Sequence, residues 1–127
     1  MTIVFNSYDI RSIIDRKIIM GNMSSTIRHI VVFKYKDGTL SDQIQQVTNA
    51  FRVLQTQIPG ILSFEHGINN SPEGANLGFT HVYTLTFENV NARDTYLPHP
   101  QHVLFGELLQ RLDILVDAFI VDYNPAP

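Results

Sequence analysis

Residues 27–35 read IRHIVVFKY, and this stretch decides how the fold is interpreted. Its β-branched and aromatic side chains are typical of a strand. Asp37 and Gly38 follow it with residues that favour a turn. The recognisable domain therefore opens with a strand.

Helices and strands alternate through the rest of the domain. Between Ile44 and Ile58 apolar residues recur at spacings of three and four, which predicts a helix. Later runs of β-branched and aromatic residues predict strands. The predicted elements after the first strand are a helix that Ser41 caps and that Pro59 and Gly60 end, a strand from Ile61 to Ile68, a strand from Phe79 to Phe87, a short helix over 91–97, a helix from Pro100 to about Leu112 and a strand from Ile114 to Tyr123.

This order of elements is typical of the ferredoxin-like split βαβ arrangement. We therefore predict an α+β fold, βαββαβ, with a four-stranded antiparallel sheet and helices on one face. Right-handed crossovers would place the first and third strands side by side, and parallel, at the centre of the sheet.

The last predicted strand is apolar on both of its alternating sets of side chains. Helices cover only one face of such a sheet, so a strand that is buried on both faces needs a second cover. A second copy of the protein, packed sheet to sheet, is the simplest cover, which predicts a homodimer. The alternative cover is the C-terminal tail or residues 1–22. The two sets are Leu115, Phe119 and Val121, and Ile114, Val116, Ala118 and Ile120.

Residues 1–22 differ from the rest of the chain. Their isoleucines recur at helical spacing, while Asp9 and Asp15 interrupt the apolar stretch that a secretory signal needs. The segment is a short amphipathic helix that packs on the domain or a partner, or a loosely ordered extension, or an upstream start before the true initiator Met23. We expect an N-terminal extension over 1–22, flexible or an upstream start, and one domain over 23–127.

The composition excludes several classes of protein. The chain has 127 residues, which suits one domain, with 44% hydrophobic and 17% charged residues. The absence of cysteine excludes a disulfide framework, a thiolate zinc site and a cysteine nucleophile. The chain has nine basic and twelve acidic side chains and a net charge of −3, so it lacks the excess of positive charge that is typical of nucleic-acid-binding proteins. The sequence contains no run of about 18 apolar residues, the length that a membrane-spanning helix needs. We therefore expect a soluble, cytoplasmic protein without membrane or nucleic-acid partners.

Histidines carry the candidate chemistry. His29 and His81 lie on the first and third strands, so they approach each other inside an apolar face if those strands are neighbours. His99 opens a helix, His102 lies about one turn further on, and Tyr96 lies just before them. Histidine exchanges a proton near neutral pH, and a tyrosine hydroxyl polarises a carbonyl or stabilises an enolate. Together these groups suit proton abstraction next to a carbonyl, followed by closure or elimination.

The alternative is that each histidine is structural. A histidine on an apolar strand is usually a satisfied core residue, and His99 before Pro100 can simply cap a helix. For His66, which follows Glu65 on the second strand, the pattern leaves the face open. The pair His99 and His102 has no third ligand at suitable spacing, so we expect no metal. No phosphate loop, nucleophile elbow or dinucleotide fingerprint occurs, and we expect no cofactor.

Short motifs are spread over residues 27–123. They read HIVVFKYKD from His29, IPG from Ile58, GFTH from Gly78, TFE from Thr86, DTYLPHPQH from Asp94 and VDY from Val121. With these motifs the chain resembles the stress-responsive A/B barrel (Dabb) domain, and the His-Pro-x-His element at 99–102 is quite specific to that family. The resemblance implies a dimeric α+β barrel in which two ferredoxin-like sheets pack face to face.

The resemblance also implies an activity. One plant branch of the family, similar to this chain, cyclises a linear polyketide by intramolecular aldol condensation. Carried over residue by residue, the likeness implies His102 as the base and Tyr96 as the catalytic tyrosine. It places His29 and His81 in the pocket, while a pocket tyrosine of that branch falls at Phe51 here. We therefore carry over the pocket and the base but not the polyketide. The other substrate-binding positions are Phe33, Tyr83 and His99.

These observations predict a homodimer with a small-molecule pocket between sheet and helices. The ligand is a small apolar or aromatic carbonyl compound, and the chemistry is cyclase- or lyase-like acid–base catalysis. Two alternatives stay open. One is a non-catalytic, stress-related structural protein, and the other is a cofactor-free monooxygenase-like member of the wider dimeric α+β barrel group.

Overall fold

The computed structural model describes residues 25–127, where the predicted helices and strands form in the predicted order. The expectations for residues 1–22 lie outside the described residues. The elements are β1 (Ile27–Tyr35), α1 (Ser41–Gln57), β2 (Ile61–Ile68), β3 (His81–Phe87), α2 (Val90–Tyr96), α3 (Pro100–Leu112) and β4 (Leu115–Tyr123).

The four strands form one sheet in the order β2-β3-β1-β4, and each strand is antiparallel to its neighbours. β1 and β3 are neighbours at the centre, as predicted, but the prediction that they run parallel is wrong. Each helical crossover does join two parallel strands, β1 to β2 and β3 to β4. One antiparallel strand lies between the members of each pair, so parallel strands are never adjacent in this sheet.

Local hydrogen bonds shift two predicted element ends. Ser41 is the first residue of α1 rather than its cap, because Leu40 holds the cap position. The backbone N–H of Leu40 donates to Oε1 of Gln43 at 3.2 Å. β3 begins at His81 rather than at Phe79, because the Phe79 N–H closes a turn. The other helices and strands start and end at, or next to, the predicted residues.

The hydrophobic core lies between the sheet and the helices. Alternate β1 side chains from Ile27 to Tyr35 are buried there, and α1 contributes Phe51. Phe51 stacks on Tyr83 of β3 with 5.1 Å between ring centroids, and it contacts Phe105 of α3 at 4.6 Å. Such aromatic pairs add roughly 0.5–1.5 kcal/mol to the burial of their area. One phenylalanine thereby joins the sheet to two helices.

The sheet face opposite this core carries a group of apolar side chains, here called the apolar sheet face. The described C-terminal residues 124–127 leave Phe119 and Val121 of this face 44% and 50% exposed. They are therefore not the second cover of β4. Ile120, on the other side of the same strand, is 59% exposed. The apolar sheet face consists of Ile30, Val32, Val82, Phe119 and Val121.

A chain of three buried hydroxyl groups crosses the core. The hydroxyl of Tyr83 lies 2.9 Å from that of Tyr35 and 2.9 Å from Oγ1 of Thr48. Buried polar groups are stable only when they are hydrogen-bonded. Tyr83 is the central member, so it satisfies one group on β1 and one on α1 at the same time.

We expect Tyr83→Phe to lower the free energy of unfolding by about 1–3 kcal/mol, because the change leaves the hydroxyls of Tyr35 and Thr48 buried without a partner. Urea unfolding measures the loss. Tyr123→Phe is the matched control, since Tyr123 is 47% exposed. Equal stability of the two variants would contradict the structural role of the hydroxyl chain.

Candidate functional site

The break between α2 and α3 positions the candidate site. α2 ends at Tyr96, and α3 begins at Pro100 with His99 as its cap. Nδ1 of His99 accepts a hydrogen bond from the backbone N–H of Gln101 at 3.1 Å. His99 therefore has a structural role in starting α3, and its predicted role in substrate binding stays a prediction.

Three of the predicted site residues come together at this break. The rings of Tyr96 and His102 lie 4.3 Å apart between centroids, and those of Tyr96 and His29 lie 5.8 Å apart. Phe87 of β3 closes the cluster, at 4.9 Å from Tyr96 and 5.6 Å from His29. The cluster thus combines a phenol and two imidazoles with an apolar wall.

Tyr96 is the most unusual member of the cluster. It is completely buried, and its hydroxyl is the one buried side-chain polar atom without a hydrogen-bond partner among residues 25–127. Burial raises the pKa of Tyr96 above its ordinary value, so the phenol keeps its proton and remains a donor. An unpaired buried hydroxyl costs roughly 1–3 kcal/mol. The Tyr96 hydroxyl therefore keeps a hydrogen-bond donor that no described residue uses.

His102 is held by the end of the preceding helix. Its Nδ1 lies 2.8 Å from the backbone oxygen of Leu97. A carbonyl oxygen only accepts, so Nδ1 carries the hydrogen and donates it. In the neutral ring the lone pair then lies on Nε2, which can accept a proton.

His29 is buried and paired with a carboxylate. Its Nδ1 lies 2.6 Å from Oδ1 of Asp122 on β4, and Arg93 of α2 donates to Oδ2 of the same carboxylate at 3.0 Å. Burial lowers the pKa of His29 below its ordinary value, although the negative charge of Asp122 acts in the opposite direction. The neutral ring of His29 therefore donates from Nδ1 to Asp122.

The sequence interpretation missed Asp122 and Arg93. The β1–β4 register pairs His29 with Asp122, and 93 residues separate them in the chain. No local spacing reveals such a pair. The available signal was weak: Asp122 is one of two aspartates in the mostly apolar strand β4, the other being Asp117.

His81 lies away from this cluster, so the expectation that it approaches His29 is wrong. Register explains the separation, because His81 pairs with Phe33 while His29 lies four positions back on β1. At about 3.3 Å per residue this is roughly 13 Å along the sheet. His81 instead contacts the ring of Tyr35 at 4.8 Å and the Oγ1 of Thr80 at 2.8 Å.

The remaining predicted pocket residues lie in the core. Phe33, Phe51 and Tyr83 are each at most 3% exposed, and they pack on one another. Their part in substrate binding stays a prediction. A separate groove of about 350 Å³ runs between α1 and α3, and its walls include Leu54 and Leu104. Neither His102 nor Tyr96 lines this groove.

Two further kinds of site were sought in residues 25–127. No three histidine, cysteine or acidic side chains of this part lie close enough together to hold a metal ion. No helix within it has the length and apolar character to cross a membrane.

Comparison with known proteins links the fold to a family. The family model of the stress responsive A/B barrel domain matches residues 27–125. A stress-response A/B barrel domain-containing protein of Arabidopsis thaliana is 28% identical over 106 residues, which are 84% of this chain and 95% of the relative. Olivetolic acid cyclase of Cannabis sativa is 28% identical over 99 residues, which are 78% of this chain and 96% of the cyclase.

Solved structures share the architecture. Hydroxynitrile lyase from Passiflora edulis matches with a TM-score of 0.73 at 25% identity, over 81% of this chain and 95% of the lyase. A dimeric protein of unknown function from Bacteroides fragilis, described as having a ferredoxin-like fold, matches with a TM-score of 0.60 at 27% identity, over 79% and 96% of the two chains. The predicted ferredoxin-like fold is confirmed.

We expect the free energy of unfolding to fall when the pH drops below about 6.5. Burial lowers the pKa of His29 and of His81 in the folded chain. The unfolded chain binds protons at these side chains near their ordinary pKa, while the folded chain still excludes them, so acid favours unfolding. From about one pH unit above 6.5 both states are neutral, and this contribution is constant.

Urea unfolding between about pH 5 and pH 8 measures this effect. His29→Gln should flatten the pH profile in part, since His81 still contributes, while the exposed control Tyr123→Phe should keep it. A wild-type stability that is independent of pH over this range would contradict the burial of neutral histidines.

Proposed function

Since this chain belongs to the stress responsive A/B barrel domain family, we propose that it is a homodimer that converts a small apolar or aromatic carbonyl compound through His102 and Tyr96. The chemistry is cyclase- or lyase-like and needs no cofactor. One observation carries the proposal. The buried hydroxyl of Tyr96 has no partner among the described residues and lies beside a histidine whose Nδ1 is already engaged.

The two side chains have complementary roles in such a reaction. Nε2 of His102 accepts a proton from the carbon next to the carbonyl, and the electron pair of that C–H bond moves onto the carbonyl oxygen. The Tyr96 hydroxyl donates a hydrogen bond to the resulting enolate oxygen. The enolate carbon then attacks a second carbonyl carbon of the same molecule, and the imidazolium returns the proton to the new alkoxide. Each proton taken is thus given back.

The surroundings of the pair favour an apolar ligand. Phe87 packs against Tyr96 at 4.9 Å and against His29 at 5.6 Å between ring centroids, and it forms an apolar wall of the cluster. Charge that develops in a dry, apolar site is stabilised strongly by fixed donors. This favours aromatic and alkyl carbonyl compounds over charged metabolites.

The names of two similar proteins are compatible with this chemistry. One is a cyclase and the other is a hydroxynitrile lyase. Ring closure by an aldol step needs a base and a donor to oxygen. Cleavage of a hydroxynitrile needs a base for the hydroxyl proton and a group that orients the same oxygen. One histidine–tyrosine pair can serve either reaction.

The test begins with thermal-shift and ligand-detected NMR screens of small aromatic and β-keto compounds, followed by rate measurements on those that bind. We expect His102→Ala to lower the turnover rate by about 10²–10⁴-fold through loss of the base. We expect Tyr96→Phe to lower it by about 10²–10³-fold through loss of the donor.

His66→Ala is the matched control, because His66 is exposed and lies near His81 rather than near Tyr96. It should retain the wild-type rate. If no compound binds, and wild type and His102→Ala are equally stable, the catalytic proposal fails and a structural role in stress response replaces it.

The homodimer follows from a different surface. In the described chain Phe119 and Val121 are about half-exposed on the apolar sheet face. Isolated exposed apolar residues are normal, but a contiguous patch favours an interface. A second copy packed on this face covers both side chains, and the similar structure from Bacteroides fragilis is itself dimeric.

Light scattering at micromolar concentration should give twice the chain mass of 14.5 kDa. Phe119→Glu should convert the protein to monomers, because a buried unpaired carboxylate is costly. Leu77→Glu is the control, since Leu77 is 80% exposed in a loop, and it should stay dimeric. A monomeric wild type would contradict the proposed sheet-to-sheet contact.

A further inference from the structure

We propose that Asp122, itself held by Arg93, is a positioning residue that fixes His29 as a second hydrogen-bond acceptor of the candidate site, facing a ligand hydroxyl. The inference rests on the proposed function, because it concerns the ligand that His102 and Tyr96 would act on. It adds to the substrate class: the ligand carries a hydroxyl group as well as a carbonyl.

The carboxylate of Asp122 has one partner on each oxygen. Oδ1 accepts from Nδ1 of His29 at 2.6 Å, and Oδ2 accepts from Arg93 at 3.0 Å. Arg93 is itself fixed, because its Nε donates to Oδ1 of Asp94 at 2.8 Å. Residues of β1, β4 and α2 are thus joined in one short network, and the carboxylate cannot rotate without breaking a charge-assisted bond.

This network determines which nitrogen of His29 is the acceptor. With Nδ1–H directed to the carboxylate, the lone pair of the neutral ring lies on Nε2. The titratable and charged groups facing the ring are Asp122 from β4, Arg93 and Tyr96 from α2, and His102 from α3. The positive charge of Arg93 opposes that of Asp122, so the carboxylate orients His29 without holding it as an imidazolium.

The result is a site with two acceptors beside one donor. His29 and His102 both contact Tyr96, and both have Nδ1 engaged by a fixed acceptor. A carbonyl oxygen of a ligand satisfies the Tyr96 donor. A ligand hydroxyl satisfies Nε2 of one imidazole, which leaves the other to take the proton. A carbonyl compound without a hydroxyl leaves one acceptor unpaired, and this is the basis of selection.

NMR of the imidazole nitrogens in the full chain tests the positioning role without any ligand. In wild type near neutral pH, we expect His29 as the neutral tautomer with hydrogen on Nδ1. Arg93→Gln should raise the pKa of His29, because the charge of Asp122 is then uncompensated. Asp122→Asn should lower that pKa and mix the two tautomers. A His29 signal that is the same in all three proteins overturns the inference.

Binding of two matched probes tests the selection. Benzaldehyde and 3-hydroxybenzaldehyde differ by one hydroxyl, and titration by NMR gives the affinity of each. We expect wild type to prefer the hydroxylated probe by roughly tenfold, a difference typical of one hydrogen bond. Asp122→Asn should lose the preference but keep the affinity for benzaldehyde. Equal affinities in wild type overturn the hydroxyl-facing role.

The two proposals fail in different ways. If neither aldehyde binds to wild type although other carbonyl compounds of the screen do, the hydroxyl-facing role is overturned and the proposed function stands. If no compound of the screen binds, the proposed function is contradicted, and the tautomer of His29 then decides the positioning role alone. If both probes bind equally well to all variants, the proposed function stands and the role of Asp122 is overturned.

Discussion

The register of β1 against its two neighbours is the constraint on which the rest of the structure depends. Because side chains alternate along a strand, a shift of one residue would exchange the two faces of β1 completely. In the observed register His29 lies between Leu85 of β3 and Asp122 of β4. The same register sends Val32 to the apolar sheet face. One set of backbone hydrogen bonds therefore determines both the candidate site and the surface available to a second copy.

A second constraint is local and comes from two prolines. Proline lacks a backbone N–H and disfavours helical geometry in the residue before it. Pro98 has no N–H with which to continue α2, although Leu97 before it keeps helical geometry, with φ −57° and ψ −46°. His99 before Pro100 is extended, with φ −60° and ψ 136°, and the two prolines thus separate α2 from α3. The break leaves the oxygen of Leu97 free to accept from His102. The interruption between the helices thus supplies the contact that orients the candidate base.

The sequence predicted what depends on neighbours in the chain. The helix and strand spans, the capping position of His99 and the nearness of Tyr96 to His102 all follow from local spacing. The sequence predicted that β1 and β3 are neighbours, but it did not predict the direction or the register of strand pairing. The direction of β1 against β3, the distance between His29 and His81 and the partnership of His29 with Asp122 are set by register between distant segments. Periodicity gives the face of a side chain but not its position along the neighbouring strand.

The place of Asp122 in the sheet has one more consequence. β4 is the outermost strand next to β1, and edge strands open locally at lower free energy than central ones. When β4 opens, His29 loses its carboxylate and Arg93 loses a counter-ion. In the proposed homodimer a second copy would pack on β4 and suppress this opening, so association and the ordering of the site would stabilise each other. In that homodimer the protonation state of the buried His29 would depend on the protein concentration.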